Sequence, residues 1–416
     1  MGCTYSVCAN GLKKKKKIIP EVIVFIRSIR VPVQIDLQRI LRGLFPQELA
    51  DKLSSLRNQI VLVAEDTGGS ATAELKRALD EYLSVLIGLI KKEYGLEGLI
   101  EFKWKNLEDG RQETSAASAW FELLSVIHLT AMLTLLEADS LMIPKDLSGS
   151  GIRTVSSDCK RSCVDLLLKA SGYLEFCVRD LLVQIPPDIK KLLPKDLQEG
   201  VLKAISIQAL GQGTEIQLGL AVESQKASLS VKRRLACEQL IYFSQAYHCL
   251  SGCDINQGYG KKHLWFIKWK FLEAKAAGYY YHGLMLDKGN EPSCHVSAVS
   301  CFLAAEELLL ESKKACLSFC LAAPVTRAPP LWGAMKQLHQ KIPEVASRKS
   351  QMYGYLLEQE KGLQEVPDLP EFQLSLQPDD YELPEINPAW NSEKWESLRQ
   401  PLKEHLRDSE DEIRTE

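Results

Sequence analysis

Apolar positions recur with a helical period over most of the chain and give way to strand-like alternation in only two short places. Pro46–Ile60 reads as a helix with its proline in the first turn. Ala73–Tyr94 reads as another, with Leu75, Leu79, Leu83 and Leu86 on one stripe. Ala116–Leu136 is apolar almost throughout, and its interruption by Glu122 and His128 marks it as a core helix rather than a membrane span. Cys159–Leu182 follows, ending before Pro186-Pro187. Four long amphipathic segments come next: Leu197–Gln225, Leu229–Gly252, His263–Leu286 and Ser297–Leu321. A last helix is predicted from Pro329 or Pro330 to about Gln359. The β-branched run Glu21–Ile26 and the short piece Ile100–Trp104 predict strands of a small sheet.

Glycine- and proline-rich breaks separate the helices, at Ser148-Gly149-Ser150-Gly151, Gly258 and Gly260, Gly289–Pro292 and Pro324–Pro330. Small residues at Ala274, Ala277, Gly278, Ala304 and Ala305 let neighbouring helices approach closely. Long antiparallel helices joined in this way predict a mainly α helical solenoid, tetratricopeptide-like, with a small β-sheet near the N-terminus. Residues 365–391 change character: seven acids, no bases, and prolines at 367, 370, 378, 384 and 388 describe an extended strap. Residues 392–416 form a charged C-terminal tail.

Composition narrows the function. A net charge of −3 shows no global bias toward nucleic acid. Twelve cysteines spread over 416 residues, without a signal peptide, predict reduced thiols rather than a disulfide framework. The local charge is at the start of the chain. Met1-Gly2-Cys3-Thr4-Tyr5-Ser6 fits N-myristoylation at Gly2, Cys3 is a palmitoylation candidate, and Cys8 is a weaker one. The run Lys13, Lys14, Lys15, Lys16 and Lys17 follows. One myristoyl chain binds bilayers with an association constant of only roughly 10⁴ M⁻¹, so stable attachment needs a second signal. Each lysine near an anionic leaflet adds about 1 kcal/mol. Residues 1–20 therefore read as a lipidated basic anchor on a cytosolic membrane face, endosomal or plasma membrane. The C-terminal Ile413-Arg414-Thr415-Glu416 has no prenylation cysteine, which places the expected anchor at one end.

Catalytic motifs do not emerge. Gly149-x-Gly151 and Gly211-x-Gly213 lack the third glycine and the Gly-Lys-Ser/Thr that hold phosphates, and Gly68-Gly69-Ser70 reads as a helix-start loop. His248-Cys249 with Cys253, and Cys159 with Cys163, are each one helical turn apart, but four converging ligands are wanted for zinc, so buried thiols are expected. In His263–Lys270, Trp265, Trp269 and Leu272 share one stripe, Lys268 and Lys275 flank it, and Lys270 is expected to point away. The chain reads as a binding protein without cofactor, not an enzyme.

The order of these pieces resembles the Bro-one domain family, the boomerang-shaped ALIX-like module of the endosomal sorting (ESCRT) pathway. Phe102-Lys103-Trp104-Lys105 followed by Ser115–Leu136, Lys169-Ala170-Ser171-Gly172-Tyr173-Leu174, Lys270–Tyr281 with Ala304–Leu308, and Val366-Pro367-Asp368-Leu369-Pro370 carry the likeness, which covers roughly Val31 to Asn391. The lipid tail is most similar to Brox-like members, which carry a C-terminal prenyl group where this chain has an N-terminal signal. The resemblance implies binding, in endosomal sorting to the multivesicular body or in membrane remodelling, of the C-terminal helix of an ESCRT-III subunit of the Snf-seven/CHMP-four type. Leu218, Val231 and Leu235 match the family's apolar groove contacts, and Arg161 a basic flanking position. The family's acidic neighbour falls at Ser157, one place from Asp158. A tetratricopeptide-like scaffold for an unrelated peptide is the alternative.

Overall fold

In the computed structural model, residues 23–391 are described, apart from 28, 68–70, 92–93, 107–112, 146–153, 255–257 and 360–364. The anchor (Gly2, Cys3, Lys13–Lys17), the 148–151 glycines, Gly68–Ser70 and the charged tail lie outside the described residues.

A three-stranded antiparallel sheet opens the fold, in the order β1 (Arg30–Pro32), β2 (Glu101–Asn106), β3 (Glu113–Ala117), with Val31 opposite Lys105 and Lys103 opposite Ser115. In β2 the side chains alternate, burying Phe102 and Trp104. Between the first two strands come α1 (Leu37–Ile40), α2 (Gln47–Thr67) and α3 (Thr72–Leu86), the last continuing as a 3₁₀ turn over Ile87–Ile90. After the sheet, α4 (Ala119–Leu141) starts at Ser118, whose hydroxyl accepts from the Phe121 amide. This helix is the centre of the N-terminal core, and its most apolar window is 89% buried. Glu122 is its buried hub: it accepts from Arg57 (2.9 Å), the Tyr82 hydroxyl (2.9 Å) and the Trp104 indole, joining α2, α3, β2 and α4.

The remaining helices stack in sequence. They are α5 (Ser157–Phe176, then a π turn at Cys177–Leu181), α6 (Pro187–Leu192), α7 (Glu199–Glu223), α8 (Leu229–Ser251), α9 (Gly258–Leu286), α10 (Pro292–Leu321), α11 (Gly333–Met352) and α12 (Gly354–Gln359). α4, α5, α7, α8, α9 and α10 each pack on the next, which is the predicted solenoid. Ala274, Ala277 and Ala305 are buried at these contacts. A second core, with Ala236, Ala277, Tyr281, Phe302 and Leu338, is closed by α11.

Residues 365–387 run extended across α9, α8, α5 and α3. Leu369 lies against Gly278, Ser375 and Leu376 bond to Glu238 and Tyr242, the Asp379 amide donates to Leu168, and the Trp390 indole donates to the Val85 carbonyl (2.9 Å). Two glycines permit this. Any Cβ at Gly172 would strike the Asp379 backbone, and one at Gly88 the Trp390 ring.

Three expectations need correction. Ile23–Ile26 forms no strand: the Ile23 and Phe25 carbonyls accept from Gln212 (2.9 Å) and Gln208 (3.0 Å) of α7, and Phe25 stacks on His263. Side chains, the two glutamine amides and the Asp139 carboxylate that accepts from the Val24 amide, satisfy this backbone in place of a neighbouring strand. The predicted Ala116–Leu136 helix begins later, because Ala116 and Ala117 pair with β2. Residues 322–332 are not helical either, so Pro329 and Pro330 precede α11 rather than starting it.

Candidate protein-binding groove

α7 lies between α5 and α8, and the Lys160–Glu223 ion pair (2.7 Å) ties the start of α5 to the end of α7. The beginning of α5, the end of α7 and the beginning of α8 thus meet at one end of the stack. α8 is started there by Ser228, whose hydroxyl accepts from the Val231 amide (3.3 Å).

The four predicted site residues fare differently. Val231 projects from the first turn of α8 and is 45% exposed. Leu235, one turn on, is half-buried, its inner side on the second core. Arg161 is exposed on α5 and paired with Asp158 (2.9 Å). Leu218 is the correction: it is 1% exposed and belongs to the second core, so it supports the surface from beneath. The reason is α11, which crosses the end of α7 where Gly219 meets Gly333 and Ala334. Nothing local to Leu218 announces that cover.

Val222 and Leu229, which the sequence did not single out, extend the apolar surface. Both are half-buried and line a cavity of about 190 Å³ with Lys232, Tyr280, Leu338 and Lys341. The signal for them was their place on either side of the polar turn joining α7 and α8. The strap occupies another face of α8, through Arg234, Glu238 and Tyr242.

Buried charge gathers elsewhere, around Lys270. Instead of pointing to solvent, Lys270 is 1% exposed, with its ammonium 2.8 Å from Glu215 and 3.1 Å from Glu273, over the Trp269 ring (4.2 Å) and near Trp332 (5.3 Å). Burial lowers its affinity for the proton, but the two carboxylates outweigh this and hold it charged. Burial pushes Glu215 up to about 7, against the pull of Lys270. A cavity of about 270 Å³ adjoins this cluster, lined also by Cys316 and His339. An ammonium held protonated by two carboxylates is neither a base nor a nucleophile, so the geometry is that of a structural ion cluster. Among the described residues, no group of three or more His, Cys, Asp or Glu could hold a metal, and the ten described cysteines are free.

No family model matches the sequence. Among curated proteins, the chain is 23% identical over 361 residues to the BRO1 domain-containing protein BROX homolog of Caenorhabditis elegans, covering 81% of this chain and 79% of that one. Among solved structures it superposes with a Bro1 domain described as a basis for endosomal targeting (TM-score 0.57, 15% identity, 90% of this chain and 98% of that one). It also matches ALIX in complex with the SIVmac239 late-domain peptide PYKEVTEDL (TM-score 0.63, 14% identity, 91% of this chain, 51% of that one). The ALIX BRO1–CHMP4C complex gives a TM-score of 0.58 at 15% identity, over 88% of this chain and 95% of that one. The chain has the Bro1-domain fold, and its sequence resembles that family.

Proposed function

We propose that this Bro1-fold chain is a membrane-anchored, non-catalytic adaptor of endosomal sorting or membrane remodelling that captures the C-terminal helix of a CHMP4-type ESCRT-III subunit. The observation that carries the reading is the uncovered apolar strip of α8, Val231 with Leu235, on a fold also seen in an ALIX BRO1 complex with CHMP4C. An amphipathic helix laid on such a strip buries anchors spaced at i, i+3 and i+4. In this reading Arg161, exposed on α5, attracts acidic groups of the same helix. The exposed apolar strip favours this over a tetratricopeptide-like clamp for a peptide carboxylate, for which Lys232 and Lys341 beside the adjoining cavity would be the cations. The anchor of the reading is Gly2 and Cys3 acylated, with Lys13–Lys17 against the leaflet, on the cytosolic face of endosomal or plasma membrane.

Val231→Asp tests the groove. At a site this exposed the change costs within about 0.5 kcal/mol of stability. A carboxylate facing apolar anchors costs several kcal/mol of binding, so calorimetric titration with a CHMP4-type tail peptide should lose its signal. Leu218→Ala should do the reverse, destabilising by about 2–5 kcal/mol through a cavity in the second core. Undiminished peptide binding by folded Val231→Asp would refute the site, and no binding by the unmutated chain would refute the function. For the anchor, Gly2→Ala should move the protein to the soluble fraction. Exchange of Lys13–Lys17 for Gln should weaken attachment more at low salt than at high.

A further inference from the structure

Three exposed leucines share one strip of α10, beside the exposed charges Glu307, Glu311, Lys313 and Lys314. At 100° per residue, Leu310, Leu317 and Leu321 fall within about 40° of one another on the helix surface. They are 54%, 59% and 64% exposed, and Val325, four residues beyond the helix, is 72% exposed. Single exposed leucines are ordinary, but a stripe of them continued into a loop is not.

That loop is fixed. The Lys262 ammonium caps the end of α10, donating to the carbonyls of Phe319 (2.9 Å) and Ala322 (3.2 Å) and to the Thr326 hydroxyl (3.0 Å). The Thr326 amide turns back to the Cys320 carbonyl. Val325, inside this fixed loop, is left exposed.

We propose that this end of α10, with Leu317, Leu321 and Val325 at its tip, rests on the anionic lipid surface to which the N-terminal anchor holds the chain. The inference rests on the anchor reading of the preceding section and adds the orientation of the domain. Where the chain enters the fold is one support. Phe25 packs edge-on against Phe319 (5.9 Å), on the buried side of the same helical turns that carry Leu317 and Leu321 outside. From Phe25 the chain leads back along α7, where the Ile23 carbonyl accepts from Gln212, so the described chain begins within two residues of this contact. The six steps from Lys17 to Ile23 span at most about 20 Å, which keeps the lysine run within reach of the leaflet the tip would touch.

Charge is the other support. Lys313, Lys314 and Arg327 are exposed nearer the tip than the exposed acids Glu307 and Glu311, which lie two or more residues further back along α10. Leucines on one strip with lysines beside them are the composition of a surface that lies in the headgroup region of an anionic leaflet.

The test is co-sedimentation of the full-length chain carrying myristate alone with phosphatidylcholine–phosphatidylserine vesicles. Single-chain attachment is marginal, so a second contact shows as a change in partition. Leu317→Ser/Leu321→Ser should lower partition roughly tenfold with its melting temperature unchanged. Leu62→Ser, at an equally exposed leucine of α2 (59%), should have no effect. Wild-type partition by the double variant overturns the inference, and if Gly2→Ala is released in the same assay the anchor reading stands without it. Binding of Gly2→Ala equal to wild type would sink the anchor reading instead. Wild-type chain that sediments as a dimer, and becomes monomeric in the double variant, would make the face a self-interface and also overturn the inference.

Discussion

Lys270→Met removes the cation between Glu215 and Glu273 while keeping nearly the same volume. The ammonium is buried between the two carboxylates at 2.8 and 3.1 Å, so solvent cannot replace it. Breaking a buried ion pair by removing one partner costs about 3–5 kcal/mol. With an unfolding entropy of about 2 cal/mol/K per residue over about 370 residues, that is a fall in melting temperature of about 4–6 °C. Protonation relieves the loss. In the wild type Glu215 already sits at about 7, against an ordinary 4.5, because it is buried. A folded-state pKa above the unfolded one contributes stability that is complete below about pH 4.5 and is lost as pH rises towards 7. Without Lys270, Glu215 holds its proton more tightly still, so the deficit should be largest above about pH 7 and shrink as pH falls towards 5. Glu215→Gln in the otherwise native chain should flatten the wild-type dependence across the same window. Scanning calorimetry over that pH range reads all three proteins. A Lys270→Met protein that melts like wild type, or whose deficit is the same at every pH, refutes the account.

Trp390→Ala should cost about 3–5 kcal/mol locally, since it empties the space between Phe45, Tyr94 and Gly88. Amide exchange should accelerate in the strap after Asp379 and remain slow in α9 and α10; unchanged exchange there would deny the tryptophan its role as the strap's terminal anchor. For the thiols, burial pushes Cys163 and Cys301 up to about 12, so both should resist alkylation in the native protein and react on unfolding. Mass mapping of alkylated peptides before and after denaturant checks this.

The helices that can be read from the sequence are those whose burial is decided within a turn or two of chain. α7 to α10 show apolar faces wide enough to place their ends within a few residues, and the apolarity of α4 marks it as a core helix. What escapes such reading depends on partners far away in sequence. Ile23–Ile26 looks like a strand because it is β-branched, but its carbonyls are satisfied by Gln208 and Gln212, and no local pattern encodes those bonds. Lys270 points inward for the same reason: Glu273 is three residues on, but the burial comes from Glu215 on α7 and Trp332 before α11. In the groove, the i, i+4 pair Val231 and Leu235 is identifiable only through the family resemblance, since valine and leucine on a helix otherwise read as core. Leu218 satisfies the same alignment and is core, because α11 covers it.

The strap decides how much of α8 the proposed partner could reach. α8 packs on α7 along one side and on α9 along another, while the strap takes a third through bonds that leave little slack. Glu238, whose side chain is fully buried, accepts from Arg234 (2.6 Å) and from both the amide and the hydroxyl of Ser375, and the Tyr242 hydroxyl donates to the Leu376 carbonyl (2.7 Å). These are charge-assisted or buried bonds, the stronger kind, and they lie on the turns just after Val231 and Leu235. The start of α8 is thereby fixed before any partner arrives. In the proposed complex, binding would have only the incoming helix to order, since a surface that needs no rearrangement loses little of its contact energy to ordering. An acidic, proline-rich segment without bases is well suited to bracing α8 in this way, because it has no helix of its own to form and its backbone groups remain free to bond to α8.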